Sequence, residues 1–353
     1  MAIKAIIVSE TAPLALRVVG PARRARAWKR TWLVVLQMFA AAFLVAALAS
    51  PGWAQPYPNR PIRLILPFPP GGSTDILGRI VAQTLGERLG QTLVADNRPG
   101  LGGYLGLELA SRAAPDGHTI VIGSLIYASG PSTYRTMKFN PQKDLAPISQ
   151  ISEAPNFVVV NLAVAAKTLK DLVDHVRANP RKLHYATSGT GSTLHLSAAM
   201  LSSVTKMDMV HVPYKGGGGP AMTAVLGGEV QVIVLGPASV PHFQTGKARA
   251  LAVLGEKRAP VAPEVPTARE QGFDVVVTGW HGLLAPAGTP RAFVERLNKE
   301  WVQVANGPDI RERLQKLGFD PRPGTPEQFT AFLKAETERW TRLIKEANIP
   351  AAD

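Results

Sequence analysis

The sequence predicts an α/β protein of two domains with a ligand cleft between them. Beyond residue 54, short β-branched runs alternate with amphipathic helical stretches, the pattern of parallel sheets covered by helices. Eight strand candidates with that much helical cover suit two sheets better than one, and clefts between domains are common small-molecule sites. Toward the C-terminus the pattern becomes wholly helical.

The strand candidates are 62–66, 92–95, 119–122, 157–161, 183–186, 209–212, 230–235 and 250–254. Ile76, Ile80, Leu85 and Leu89 mark one intervening helix, and Leu169, Leu172, Val173 and Val176 another. Three more helices are expected at 290–306, 308–317 and 326–347. Pro290 and Pro326 each follow a threonine at the first helical position, where a missing N–H costs nothing. Loop-like segments at 152–156 and 278–281 are the expected crossings between domains. The division is therefore 55–153 for the first part of domain 1, 154–278 for domain 2 and 279–353 for the rest of domain 1. No internal repeat is visible.

Of the 353 residues, 46 % are hydrophobic and 18 % charged, enough to build a sizeable core. The formal net charge is +13. Residues 1–54 carry seven of the Lys and Arg and one acid, so the remainder keeps 32 basic against 25 acidic residues. That surplus is scattered, with no arginine-rich helix and no interleaved aromatics, which argues against nucleic-acid binding. A mild positive bias helps to steer anionic solutes inward. The absence of cysteine excludes disulfides, thiol catalysis, Cys-ligated zinc and a lipid anchor on cysteine.

A basic run from Arg23 to Arg30 precedes an apolar stretch over 33–49, and Ser50-Pro51-Gly52-Trp53-Ala54 follows. Basic, apolar, then small-x-small is the order of a secretory signal, so residues 1–54 read as a signal peptide and the mature chain as periplasmic. Cleavage after Ala54 is expected, with Ala49 the alternative. The rival reading is a membrane anchor, since ~17 apolar residues approach the ~20 that span a bilayer.

Two segments share one design. Strand 62–66 runs through Pro67 and Phe68 into Gly71, Gly72, Ser73, Thr74 and Asp75, and then into a helix. Glycines let backbone approach a bound group, Ser73 or Thr74 can cap the helix, and its free N–H groups suit an anion. Taken alone, this is also what a plain strand-to-helix turn looks like, with Asp75 supporting the first turn. The second segment carries Ser188, Gly189, Thr190, Gly191 and Ser192, with a helix beginning near Ser192. As a pair, one per domain, the two loops form a two-jawed carboxylate clamp. A third segment, Tyr214, Lys215 and Gly216, offers a hydroxyl and a charge. It is not a P-loop, because the lysine precedes the glycines.

Enzyme patterns are weak. Gly189 and Gly191 lack the third glycine of a dinucleotide fingerprint, and no G-x-S-x-G elbow surrounds Ser188 or Ser192. Ser192 and His195 stand three apart, which suggests a nucleophile and base or, more simply, hydrogen bonding at a helix start. The seven histidines form no close ligand pair, so no metal and no cofactor are expected.

Several motifs together resemble the receptors of the tripartite tricarboxylate transporter system, the Bug-type periplasmic solute-binding proteins. They are Phe68-Pro69-Pro70-Gly71-Gly72-Ser73-Thr74-Asp75, Asn97-Arg98-Pro99-Gly100, Pro115-Asp116-Gly117-His118-Thr119 and Ser188-Gly189-Thr190-Gly191-Ser192 with His195. Val212-Pro213-Tyr214-Lys215-Gly216 and Pro286-Ala287-Gly288-Thr289-Pro290 complete the series. The resemblance implies a periplasmic-binding-protein-like fold of type II that closes over its ligand as a hinged trap. It further implies a small carboxylate as ligand: a di- or tricarboxylate, an acidic amino acid or an aromatic acid. The expected ligand contacts are Phe68, Gly71–Asp75 in full, Ser188–Ser192 in full, His195, Tyr214, Lys215 and Gly216. A tripartite-type membrane permease or a sensor is the expected partner, for a monomeric receptor. An enzyme acting on a carboxylate is the remaining alternative.

Overall fold

β1 (Ile62–Leu66) is an interior strand of its sheet: Ile62, Leu64, Ile65 and Leu66 are fully buried and only Arg63 reaches solvent, so burial does not follow a simple alternation. The computed structural model describes residues 57–135, 137–214, 217–349 and 351, with the helical pair Gln37–Met38. The expected signal peptide, apart from that pair, and its cleavage points lie outside the described residues, as do Lys215 and Gly216. Among the described residues no helix is long and apolar enough to cross a membrane.

Around β1 stand β2 (Leu93–Asn97), β3 (Thr119–Gly123), β4 (Leu145–Pro155), β10 (Thr278–Pro286) and β11 (Asp320–Pro321), in the order β11-β4-β10-β3-β1-β2. The second sheet contains β5 (Phe157–Val160), β6 (His184–Thr187), β7 (Val210–Pro213), β8 (Val232–Leu235) and β9 (Arg249–Val253), ordered β7-β6-β8-β5-β9. Each sheet with its helices makes one lobe. In both, three parallel strands are joined by the strand that has just crossed from the other lobe, β10 in the first and β5 in the second. Those crossing strands run antiparallel to their neighbours. The sheets are therefore mixed, not parallel as the alternation of elements suggested.

The segments read as loop-like crossings are paired strand. Thr278 opposes Pro155, Trp280 opposes Glu153, and His281 opposes Ser152. Only Asn156 separates β4 from β5, so both passages between lobes run side by side. The reason for the misreading is visible in the register, which shifts between His281 and Gly282 and again between Leu283 and Leu284. Each shift inserts an extra β4 residue, first Ile151 and then Ile148. The buried residues Ile148, Ile151 and Ala154 therefore recur at three rather than two, and no strand period shows.

The helices follow their apolar stripes. Helix Leu169–Ala178 buries Leu169, Leu172, Val173 and Val176, and Thr168 caps it in a reciprocal box with Asp171. Helix Pro326–Glu346 begins with Pro326 at its first position, and Thr325 forms a capping box with Gln328. Helix Arg291–Asn306 starts one residue later than expected, because Pro290 is extended (ψ 133°) and serves as its N-cap.

Candidate ligand-binding site

The loops that leave β1, β3, β6 and β8 converge on one cavity of about 60 Å³, closed at the back by the crossing segments around Asn156 and Trp280. Parallel strands deliver their C-terminal ends to the same side of each sheet, which is why the site forms there. From the first lobe come Phe68, Gly72, Ser73, Thr74 and Ser124; from the second, Ser188, Thr193, Gly218 and Gly236-Pro237.

Helix Ser73–Leu89 points its N-terminus at the cavity. Its N-cap is Gly72 and no side chain caps it, contrary to the cap expected from Ser73 or Thr74. The physical reason is that both hydroxyls are engaged elsewhere. The Ser73 Oγ accepts from the Ala238 N–H of the other lobe at 3.2 Å. The Thr74 Oγ1 lies 3.1 Å from His281 Nε2. First-turn N–H groups are thus left for an anion. Asp75 braces the turn from behind, accepting from Gly71 N–H at 3.1 Å and pairing with Arg79 at 3.0 Å. Burial alone would raise its pKa, but the Arg79 guanidinium, the Asn97 amide and the Gly71 N–H outweigh burial and hold it below the usual carboxylate range.

Three polar atoms of the cavity wall are buried without a hydrogen-bond partner: Ser124 Oγ, Ser188 Oγ and His281 Nδ1. A buried donor or acceptor left unpaired costs about 1–3 kcal/mol, so three around one cavity are a demand for a polar occupant. Among the described residues no Lys, Arg, Asp or Glu lines the cavity. Burial pushes the His281 imidazole down to about 4, which leaves it neutral at pH 7. His281 stands beside the register shift at which Ile151 of β4 bulges out of the pairing with β10. Trp280 is held by its indole N–H, which donates to Glu336 at 3.2 Å.

This architecture now meets a family. The model of the tripartite tricarboxylate transporter family receptor matches residues 77–349. The chain belongs to that family. Among curated relatives, the receptor is 34 % identical to BugT of Bordetella pertussis over 89 % of this chain and 96 % of that one. Its fold matches an R. palustris protein solved with adipate (TM-score 0.82, 33 % identity, 84 % of this chain and 100 % of that one). It also matches the periplasmic binding protein BugD (TM-score 0.80, 31 %, 84 % and 100 %). A third match is MatC from Rhodopseudomonas palustris with bound malate (TM-score 0.78, 32 %, 82 % and 100 %). The receptor has the type II periplasmic-binding-protein-like fold, two α/β lobes with a ligand cleft between them.

Within the receptor, the expected contacts divide. Phe68, Gly72, Ser73, Thr74 and Ser188 line the cavity, while Gly189 and Thr190 line a neighbouring chamber. Gly71, Asp75, Gly191, Ser192 and His195 line neither space. Ser192 caps helix Thr193–Thr205, accepting from His195 N–H at 3.3 Å, and its hydroxyl donates to the Gly189 carbonyl at 2.7 Å. His195 Nδ1 accepts from Gly191 N–H at 3.2 Å and its ring stacks on His211 at 4.5 Å. Burial, then the neighbouring His211, brings His195 down to about 4. Tyr214 turns away, its hydroxyl 3.5 Å from Glu229. Sequence reading missed Ser124, Asn156, Trp280 and His281. The expected crossings at 152–156 and 278–281 contained Asn156, Trp280 and His281 without marking them as site residues, and nothing pointed to Ser124.

Proposed function

We propose that this receptor is a periplasmic solute-binding protein that captures a small carboxylate and performs no chemistry on it. The observation that carries the reading is the trio Ser124 Oγ, Ser188 Oγ and His281 Nδ1, unpartnered in one cavity beneath an uncapped helix N-terminus. In the tautomer whose Nε2 accepts from the Thr74 hydroxyl, His281 Nδ1 carries a proton and donates to the acid. Among the described residues it is hydroxyls, N–H groups and a helix dipole that meet the negative charge. Adipate and malate in two structural neighbours support the carboxylate class.

An enzymatic reading loses its best candidate pair. The Ser192 proton is committed to a carbonyl, and His195 Nδ1 is occupied by a backbone N–H, so neither is poised as nucleophile or base. Capture by lobe closure, then recognition of the closed form by a tripartite-type permease, fits the two-lobed fold. The N-terminal segment serves as a cleaved export signal in this reading.

The test is a thermal-shift panel of organic acids, sugars and metal salts. A ligand at a hundred times its Kd adds about 2.7 kcal/mol of stability, a clear rise in Tm. A response to sugars or metals with none to any acid would reverse the assignment.

A further inference from the structure

Building on the carboxylate reading, we infer that the ligand is a monocarboxylate with an apolar chain or ring. Its acid end sits in the inner cavity and its tail lies beyond Phe68 in a larger outer chamber. The two spaces share the walls Phe68 and Ser188 and differ in size, about 60 Å³ inside against about 500 Å³ outside. The inner space suits a carboxylate and little more; the bulk of a solute must extend outward.

The walls differ as much as the volumes. Ser124, Ser188 and His281, each with an unpartnered polar atom, all line the inner cavity, and of these only Ser188 also borders the outer one. The outer wall is formed largely by Pro69, Pro99, Leu101, Leu105 and Pro213 with intervening glycines. Its one phenol, Tyr134, is already committed to the Leu101 and Thr190 carbonyls. Among the described residues no Lys or Arg lines this chamber. A second carboxylate pressed against this proline, leucine and glycine wall would lose water to apolar surface, whereas methylenes or an aromatic face would meet carbon.

Two leucines at the chamber edge add an independent sign. Leu101 and Leu105 are 52 % and 43 % exposed, so part of the outer wall is apolar surface left to water. Leu101 also holds φ +46°, a left-handed conformation that a leucine adopts rarely, between Gly100 and Gly102. A bulky apolar side chain kept in a backbone conformation that favours Gly or Asn indicates a requirement for the side chain itself. A ligand tail covering it supplies that requirement.

Calorimetric titration of the purified receptor separates the possibilities, using acetate, butyrate, hexanoate and benzoate against succinate, adipate and citrate. Each added methylene from acetate to hexanoate should tighten binding about two- to four-fold. Hexanoate should bind at least about ten-fold tighter than adipate, which has the same carbon count and a second charge. Leu105→Ser should weaken hexanoate and benzoate about five-fold and leave acetate unchanged. Leu101→Asn, which relieves the left-handed leucine and so keeps the fold, should do the same. Adipate matching or exceeding hexanoate would overturn the inference, as would equal losses for short and long acids in both variants. Those results would leave the carboxylate reading standing; failure of every acid to bind would remove both.

Discussion

The Tyr134 hydroxyl lies 2.7 Å from the carbonyl oxygen of Thr190, joining the first lobe to the loop of the second that carries Ser188. The same hydroxyl is 2.6 Å from the Leu101 carbonyl, so one proton serves two acceptors. Burial, reinforced by the neighbouring Tyr104, pushes the phenol up to about 12 and keeps it a donor at any working pH. Tyr134→Phe keeps the ring and removes only this tie between lobes. Ligand affinity should fall about three- to ten-fold, the worth of a hydrogen bond of ~0.5–1.5 kcal/mol. Calorimetry measures the loss, and small-angle scattering should show a larger radius of gyration for the variant. Unchanged affinity would mean that the tie does not contribute to closure.

A second prediction concerns the backbone beneath that tie. Gly102 has φ +63°, and a Cβ there would come within 2.7 Å of the Thr190 carbonyl oxygen and 2.9 Å of the Ser192 nitrogen. Both neighbours are backbone of the opposite lobe, so neither can swing aside. Gly102→Ala should hold the lobes apart. We expect a ten-fold or greater loss of affinity with a Tm of the ligand-free protein changed by only a few degrees. Normal binding by the variant would show that the lobes need not approach this closely.

These contacts also mark what was legible in the sequence. All eight expected strands exist, since β1, β3, β5 and their kin are short apolar runs that report themselves. β4 stayed hidden because its two bulges against β10 destroy the two-residue period, and the segments 152–156 and 278–281 read as loop-like. The glycine-rich loops announced the location of a site, because a strand end followed by glycines and hydroxyls is a local pattern. His281 and Ser124 gave no such signal. Their importance arises from burial without partners, a property of the assembled cavity. The loop around Ser192 misled in the opposite sense: its hydroxyl is a cap, spent within its own turn.

Acidification should destabilise the receptor. The folded protein holds His281 and His195 at about 4, below the ordinary 6.5, and burial lowers His211 as well. The unfolded chain therefore binds more protons below about pH 6.5. Stability is fully present above that value and is lost as pH falls toward 4, with each of the two deeply lowered histidines contributing on the order of 3 kcal/mol. Urea unfolding at pH 7, 5.5 and 4.5 gives the slope. His281→Gln should flatten it by roughly one histidine's share. An identical slope in that variant would place the titration elsewhere.

The sharpest separation of stability from binding comes from the two unpartnered serines. Removing a buried hydroxyl normally costs stability because a hydrogen bond is lost, but Ser124 Oγ and Ser188 Oγ have none to lose. Replacing either by alanine deletes a group that was desolvated without compensation. The ligand-free protein should therefore keep its stability or gain up to about 1 kcal/mol. Binding should move the other way, because each hydroxyl would find its partner in the bound acid. We expect affinity to fall about five- to ten-fold for Ser124→Ala and Ser188→Ala, by calorimetry, while the unliganded Tm holds or rises. A fall in both quantities would assign these serines a structural role, and a fall in neither would leave the polar demand of the cavity unexplained by its occupant.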